Sequence, residues 1–212
     1  MNREALLSDY KGESHTVESE RMSDWLLVKG VAARDERAFT ELYGRYSAAI
    51  YNYLVHMIYD RHVAEDLLQE IFFSIWEGAG RFRGQSSVKT WIYRIAHHQT
   101  VSWLRRNRRL GSIKLPKDSY PEHDPEGIFE TNSSHQDLRN ALYKLSPEHK
   151  EVLELAFFHG MSYAVIADVL QCPLGTVKSR MSYAKKRILS VLEHQDPSGM
   201  ETLKASRVDY DE

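Results

Sequence analysis

The sequence predicts an all-α protein: two small helical domains joined by a flexible linker. Apolar residues recur at helical spacing between residues 23 and 105 and again between residues 138 and 188, and no segment alternates like a half-buried strand. The segment between these regions has no sustained period and contains three prolines, as linkers do. The predicted order is a disordered tail (1–21), a first domain (22–107), a linker (108–134), a second domain (135–194) and a polar C-terminal tail (195–212).

Composition excludes several classes of protein. The chain has 212 residues, of which 42% are hydrophobic, so it can build two small cores. Its apolar runs are too short to span a membrane, and its polar, acidic first residues differ from a signal peptide. The single cysteine, Cys172, excludes an intramolecular disulfide and a multi-cysteine zinc site. We therefore expect a cytoplasmic protein without membrane insertion.

Four helices are expected in the first domain. The first is short, around residues 25–30, and the next two are predicted over residues 36–59 and 64–77. Glycines at positions 78, 80 and 84 mark the loop that follows them. Ser87 or Val88 begins the fourth helix, which should continue through residue 105.

Helix-start signals organise the second domain. Leucines at positions 138, 142 and 145 mark its first helix. Ser146 followed by Pro147 is typical of a helix start, and we expect that helix to end at Gly160. Ser162 then caps a short amphipathic helix that reaches Leu170.

The next segment has the pattern of a DNA-recognition helix. Residues 171–174 have the length of the turn in a helix-turn-helix, whose second helix lies in the major groove. Gly175 permits a sharp turn, and Thr176 is a good N-cap. Apolar residues at 177, 181, 184 and 188 give the helix one buried face, while basic and small polar residues occupy the rest. A solvated basic helix at the end of a small bundle is the alternative.

The net charge of −2 conceals a strong segregation of charge. Residues 81–117 contain ten Lys or Arg and no Asp or Glu, whereas residues 118–137 contain six acids and no Lys or Arg. A confined basic block indicates a defined polyanion site rather than a uniformly basic surface. The acidic block either mimics nucleic acid or serves as a spacer.

Two segments, taken together, resemble the extracytoplasmic-function sigma factors of bacterial RNA polymerase. The first is AEDLLQEIFFSIWEGAGRFRGQSSVKTWIYRIAHHQTVSWLRR, residues 64–106. The second is LSPEHKEVLELAFFHGMSYAVIADVLQCPLGTVKSRMSYAKKR, residues 145–187. The resemblance implies that the first domain is sigma domain two, which binds the clamp helices of the polymerase's largest subunit and opens the minus-ten promoter element. It implies that the second is sigma domain four, which binds the flap of the second-largest subunit and reads the minus-thirty-five element.

The resemblance places minus-ten contacts in the loop before the fourth helix and along that helix. Promoter opening requires a cationic surface for the displaced strand and groups that hold an unstacked base. Trp91 suits packing as well as DNA contact, and the arginines at the helix end suit either phosphates or solvent. The expected minus-ten residues are Arg81, Phe82, Arg83, Ser86, Ser87, Lys89, Thr90, Trp91, His98, Arg105 and Arg106.

Further partners follow from the same resemblance. The minus-thirty-five element should be read by Thr176, Lys178, Ser179, Arg180, Ser182, Tyr183, Lys185 and Lys186. Core polymerase should bind an acidic face with an aromatic in it, although an ordinary solvated face is the alternative; its residues are Glu65, Asp66, Gln69, Glu70 and Phe73. An anti-sigma protein is the expected regulator, and the chain should be no enzyme and need no cofactor or metal.

Three residues depart from the family's pattern, one of them Ser102, where the family often has a carboxylate. His98 stands where the family usually has asparagine, and a neutral imidazole offers one donor and one acceptor instead of a bidentate amide. We therefore expect an altered minus-ten preference. Gln171 stands at a helix end where glycine, asparagine or aspartate tolerates left-handed backbone better.

Two other functions compete with this one. A dimeric helix-turn-helix regulator with an N-terminal sensor domain would also end in such a helix, but it has no need of the basic, aromatic segment after residue 80. A helical metal-dependent hydrolase would use some of the ten histidines. However, adjacent His97 and His98 diverge by about 100° on a helix, so they chelate one ion poorly.

Overall fold

The computed structural model describes residues 23–109, 142 and 145–193, and every regular element in these ranges is helical, as predicted. The predicted tails and most of the predicted linker lie outside them. The first unit contains α1 (residues 23–32), α2 (Glu36–Ile58), α3 (Arg61–Gly78), a 3₁₀ turn (Ala79–Arg81) and α4 (Val88–Arg109). The second unit contains α5 (Pro147–Leu153), a π-helical turn (Glu154–Phe158), α6 (Tyr163–Leu170) and α7 (Leu174–Glu193).

Side-chain caps fix where α2 and α3 begin. The Asp35 carboxylate accepts a hydrogen bond from the Arg37 backbone N–H at 2.8 Å, and Asp60 accepts one from Val63 at 3.2 Å. Between them Tyr59 is left-handed, with φ 63°, which ends α2 and redirects the chain. Because Asp60 supplies the cap, α3 begins before the start predicted at residue 64.

The core of the first unit lies where α2, α3 and α4 meet. Each large apolar side chain buried there contributes about 1.5–3 kcal/mol to folding. The fully buried side chains include Leu42, Ile50, Leu54, Ile71, Ile75 and Ile92. At Gly30, α1 approaches α2 so closely that a Cβ atom would lie 2.6 Å from that of Ala38. Only glycine allows this approach.

Several predicted boundaries in the second unit are confirmed. Ser146 precedes α5 and Pro147 begins it. Ser162 caps α6, because its hydroxyl accepts a hydrogen bond from the Val165 backbone N–H at 3.4 Å. Gln171 ends α6 in a left-handed conformation, with φ 52°, despite its side chain. Its side-chain amide donates to the Asp168 carbonyl at 2.7 Å, which helps to hold this unusual cap.

Two further predicted helix boundaries were wrong. The recognition helix α7 begins at Leu174, so Thr176 lies in its first turn and is not the N-cap. The Pro173 carbonyl accepts from the N–H groups of Thr176 at 2.8 Å and Val177 at 3.3 Å, which starts the helix earlier. At the other end of the basic block, α4 continues past residue 105 to Arg109, since the arginines there are good helix formers.

The two units pack against each other. Contacts join α4 to α6, and α2 to α5 and the π-helical turn. One consequence is that α4, which carries most of the expected minus-ten residues, also carries the surface that meets the second unit.

Candidate nucleic-acid interface

The loop before α4, residues 82–87, is held by three aromatic rings. Phe82 lies between Trp25 of α1, with ring centroids 5.4 Å apart, and Trp91 of α4, at 4.8 Å. Gly84 is left-handed, with φ 70°, and a Cβ atom there would lie 3.1 Å from the Trp25 ring. Phe82 and Trp91 therefore support the loop through packing. No sequence pattern indicated that Trp25 would complete the stack.

Hydroxyl groups at the start of α4 also have structural partners. The Ser87 hydroxyl accepts from the Thr90 backbone N–H at 3.0 Å and lies 2.7 Å from the Thr90 hydroxyl. Ser87 thus acts as the N-cap of α4, and Thr90 is buried. Ser86 is the last residue before Ser87 in the loop, and it is half-buried. These residues stay predicted DNA contacts, with Ser87 and Thr90 also shaping the loop.

Exposed cationic residues occur on both sides of this loop's first residue and near the end of α4. Arg81, Arg83, Arg105 and Arg106 are exposed, as is His98. Burial, together with the charges of His97 and Arg94, lowers the pKa of His98. Its imidazole is therefore neutral near pH 7 and offers one donor and one acceptor. The arrangement can accept phosphates and present a neutral polar ring to a base.

The polar face of α7 is open along most of its length. Lys178, Ser179, Ser182, Tyr183, Lys185 and Lys186 are exposed, whereas Thr176 and Arg180 are half-buried. Val177, Met181 and Ala184 are buried on the opposite face, as predicted. This division gives the helix one face for the core and another for a major groove.

A separate exposed face lies on α3. Glu65, Asp66, Gln69 and Glu70 are all exposed, and the Phe73 side chain is 67% exposed beside them. A large aromatic side chain that is exposed among carboxylates has the character of a binding surface for a basic partner.

Comparison with known proteins identifies the family. Family models for Sigma-70 region 2 and Sigma-70 region 4 match residues 42–110 and 135–188. The chain is 34% identical to the RNA polymerase sigma factor YlaC of Bacillus subtilis, over 68% of this chain and 86% of that one. It is 32% identical to the RNA polymerase sigma-H factor of Pseudomonas aeruginosa, over 80% of this chain and 94% of that one. The chain belongs to the extracytoplasmic-function sigma factors.

Solved structures share the fold. The sigma factor RpoE from Bartonella quintana, in complex with the anti-sigma factor NepR, superposes with a TM-score of 0.60 at 25% identity, covering 74% of this chain and 98% of that one. CnrH, in complex with the cytosolic domain of CnrY, gives a TM-score of 0.61 at 21% identity, covering 82% and 99%. The chain is therefore an initiation factor that binds core RNA polymerase and directs it to promoters.

In this sigma factor, buried carboxylates of the second unit meet histidines of the first. Glu151, 2% exposed, lies 2.6 Å from His97 Nδ1 and accepts a hydrogen bond from the Tyr53 hydroxyl. Glu154, 4% exposed, lies 2.8 Å from His56 Nδ1 and 3.4 Å from His159 Nε2 of its own unit. Among the residues that the structure describes, no such cluster is arranged to hold a metal ion.

The surroundings shift the pKa of several of these groups. Burial alone would raise the pKa of Glu154, but hydrogen bonds from His159 and His56 outweigh it, so the pKa is lowered. Burial and the Glu151 charge raise the pKa of Tyr53 well above its usual range, so its hydroxyl stays protonated and donates. Burial lowers the pKa of Lys150 to about 7, although the charge of Glu154 opposes this.

No helix in the described part of the chain has the length and apolarity to cross a bilayer.

Proposed function

We propose that the first unit is sigma domain two, spanning residues 22–107, and opens the minus-ten element through the loop at residues 82–87 and α4. The observation that carries this proposal is the pairing of a basic, aromatic-supported loop with a helix-turn-helix on one chain. Arg81, Arg83, Arg105 and Arg106 supply charge for the displaced strand. The loop, braced by the stack of Phe82 and Trp91, supplies a pocket edge for an unstacked base.

The second unit is sigma domain four, spanning residues 135–194, and reads the minus-thirty-five element through α7. The exposed Lys178, Lys185 and Lys186 supply phosphate contacts, and Arg180 supplies a bidentate donor for a guanine edge. The flap of the second-largest polymerase subunit binds this domain, while the acidic face of α3 around Phe73 binds the clamp helices of the largest subunit.

An anti-sigma protein regulates the chain by covering polymerase-binding surfaces. Support comes from the relatives: RpoE of Bartonella quintana was solved with an anti-sigma factor. The chain carries no catalysis of its own and requires no cofactor, since polymerase performs the chemistry.

Transcription with purified core polymerase tests this function. The chain should produce permanganate-reactive open complexes and run-off transcripts only together with core polymerase. In a gel-shift assay it should not bind duplex promoter DNA specifically by itself. Specific duplex binding without polymerase would instead indicate the dimeric helix-turn-helix regulator with an N-terminal sensor.

Removing the Phe73 side chain tests the polymerase-binding face separately. Phe73→Ala should weaken binding to core polymerase without lowering helix content, because this side chain is 67% exposed and contributes little to folding. Leu26→Ala is the matched control, since Leu26 is an apolar residue of similar exposure, 63%, on a different helix, α1. Equal polymerase affinity for both variants would contradict the assignment of α3.

A further inference from the structure

A cavity of about 700 Å³ lies where α1, α2 and α4 meet the end of the π-helical turn. Sites for small organic ligands typically enclose about 300–1,000 Å³, so this cavity has the size of such a site. Apart from Lys89, its lining residues lie outside the surfaces that the proposed function assigns to DNA and to polymerase. The cavity therefore has no role in that function.

Aromatic side chains form one part of the lining. Tyr93 is buried, Tyr46 is half-buried, and Phe158 is 52% exposed. The Tyr93 hydroxyl lies 2.8 Å from His159 Nδ1, and the Tyr46 hydroxyl donates to the Asp24 carboxylate. Because burial raises the pKa of both tyrosines, these hydroxyls stay protonated and bound to their partners. Such a lining suits the flat apolar body of an organic ring.

Lys89 supplies a positive charge that has no acidic partner. Its ammonium donates to the His159 carbonyl at 3.1 Å, which leaves its other N–H donors without a partner among the described residues. Burial lowers the pKa of this ammonium, and no carboxylate in the described part of the chain offsets the effect. An anion in the cavity would supply the missing partner.

The remaining charges of the lining favour a ligand with a single negative charge. Arg45 donates to the Asp24 carboxylate at 2.8 Å and to Glu41 at 3.0 Å, so two carboxylates already surround its guanidinium. Those carboxylates would repel a ligand that carries several negative charges, such as a nucleoside triphosphate. One anionic group can bind Lys89 and avoid this repulsion.

We propose that this cavity is a binding site for a small aromatic monoanion, with its acidic group on the Lys89 ammonium and its ring among Tyr46, Tyr93 and Phe158. The charge-assisted hydrogen bond from the ammonium supplies specificity for the acidic group. Removal of the ring from water supplies a contribution that does not depend on charge. A neutral molecule of the same shape keeps only the second contribution, so it binds more weakly.

Fluorescence of anilinonaphthalene sulfonate tests the ligand class on the full-length chain. This dye is itself an aromatic monoanion, and its emission rises when it leaves water. Naphthoate should displace the bound dye, whereas the neutral naphthamide should displace it only at concentrations about tenfold higher or more. Equal displacement by the two compounds would overturn the proposal, as would displacement by ATP at lower concentrations than naphthoate.

Lys89→Met tests the anion contact, because it removes the charge and keeps an unbranched side chain. Dye affinity should fall about tenfold or more, which corresponds to about 1.4 kcal/mol of binding free energy. Lys29→Met is the matched control. It makes the same change in net charge at an exposed lysine outside the cavity, whose Nζ lies 5.2 Å from the centre of the Trp25 ring. It should bind the dye as the wild type does.

Ala49→Phe tests the cavity without altering any charge. Ala49 belongs to the lining, so a ring at this position occupies the space of the ligand and should abolish displaceable dye binding. Ala48→Phe is its control, since Ala48 is the exposed neighbour on α2 and lies outside the lining. Wild-type affinity in both Lys89→Met and Ala49→Phe, with helix content intact, would overturn the proposal. A loss in Ala49→Phe alone would overturn the role of Lys89.

This site goes beyond the proposed function, although Lys89 is also an expected minus-ten residue. Dye binding and its displacement require neither polymerase nor DNA. A failure in these measurements is therefore distinguishable from a failure of the chain to initiate transcription.

Discussion

Arg180 and Lys186 lie on the same helix and should play different parts in DNA binding. Arg180→Ala should weaken recognition of a specific minus-thirty-five element by about 1–3 kcal/mol, because a bidentate contact to a base is lost. Lys186→Ala should weaken binding to all sequences and flatten its salt dependence, because it removes a phosphate contact. Competition binding of the polymerase holoenzyme to specific and scrambled promoters measures both. Equal losses on the two promoters for Arg180→Ala would exclude a base-reading role.

His98 should set the minus-ten preference. Its lowered pKa keeps the ring neutral near pH 7, with one hydrogen-bonding atom on each side, whereas asparagine can hold a base edge at two points. His98→Asn should therefore change the preferred base by about 1–3 kcal/mol, the value of one bidentate pair. Transcription from a library randomised at each minus-ten position compares the two proteins. If both select the same sequences, residue 98 does not read the promoter.

Exposed side chains could be predicted from the sequence more readily than the side chains that support them. Phe73 stood off the apolar stripe of its helix and is exposed, as the pattern predicted. Trp25 could not be predicted in the same way, because its partners Phe82 and Gly84 lie nearly sixty positions away and no periodicity links them. Thr176 was assigned as the N-cap from its residue type alone. In the structure α7 begins earlier, because the Pro173 carbonyl accepts hydrogen bonds from the backbone N–H groups of Thr176 and Val177.

We expect α1 to govern promoter opening through the loop that it braces. Trp25→Ala removes one side of the aromatic stack and frees Gly84, so residues 82–87 should lose their fixed shape. We expect the amount of permanganate-reactive open complex to fall about tenfold or more, because misplacing a positioned group commonly costs at least this much in rate. Affinity for core polymerase should remain close to that of the wild type.

Leu26→Ala again serves as the control for that variant, because Leu26 is the next residue on α1 and its side chain is mostly exposed. It should open promoters at the wild-type level. Loss of polymerase binding in Trp25→Ala alone would mean that the stack supports the whole unit and not only the loop.

Helix-start signals explain why the beginnings of α2, α5 and α6 could be predicted. Asp35, Ser146 and Ser162 precede these helices, and proline begins α5. Asp60 was missed as a cap, which is why the start of α3 was predicted too late. These are local signals, since each involves residues within one turn. The π-helical turn after α5 was not predicted, because its extra residue is stabilised by contacts with the other unit and not by its own composition.

We expect Lys150 to make the packing of the two units depend on pH. Its pKa is about 7 in the packed state, because of burial, and returns toward 10.5 when the units separate. Between these values the separated state binds more protons, so packing gains stability as the pH rises, by up to about 1.4 kcal/mol per unit. Below pH 7 the penalty for burying the charge is present in full. Lys89, whose pKa is also lowered by burial, acts in the same direction.

X-ray scattering at pH 7 and at about pH 9 measures this effect, and the more compact form should be favoured at the higher pH. The comparison stays below pH 10. Above that pH Tyr53 and Tyr93 ionise in the separated state, whereas burial raises their pKa in the packed state, so packing would lose stability as the pH rises further. Lys150→Met should remove most of the pH dependence. A wild-type protein with the same dimensions at both pH values would contradict the prediction.

The packing of the two units could not be predicted from sequence patterns, and the reason is physical. Tyr53 and Glu151 are 98 positions apart, as are His56 and Glu154. Tyr53 falls on an apolar stripe of the helix predicted over residues 36–59, and nothing in the sequence distinguishes the two glutamates from exposed ones. A polar side chain at such a position can bind either water or a residue of the other unit. Only the folded structure shows which of the two it binds.

The π-helical turn gives residues 154–158 a tolerance for length that the α-helices lack. An α-helix directs positions i and i+5 about 140° apart, yet the Glu154 carboxylate lies 3.4 Å from the His159 ring because the wide turn brings such positions together. A one-codon deletion that returned this turn to ordinary α-helix would make the pair i and i+4, about 40° apart, so the histidine would still lie beside the carboxylate. The same deletion inside α5 or α7 would instead rotate every residue after it by about 100°. Loss of one residue should therefore be tolerated between Glu154 and His159 more readily than inside either helix.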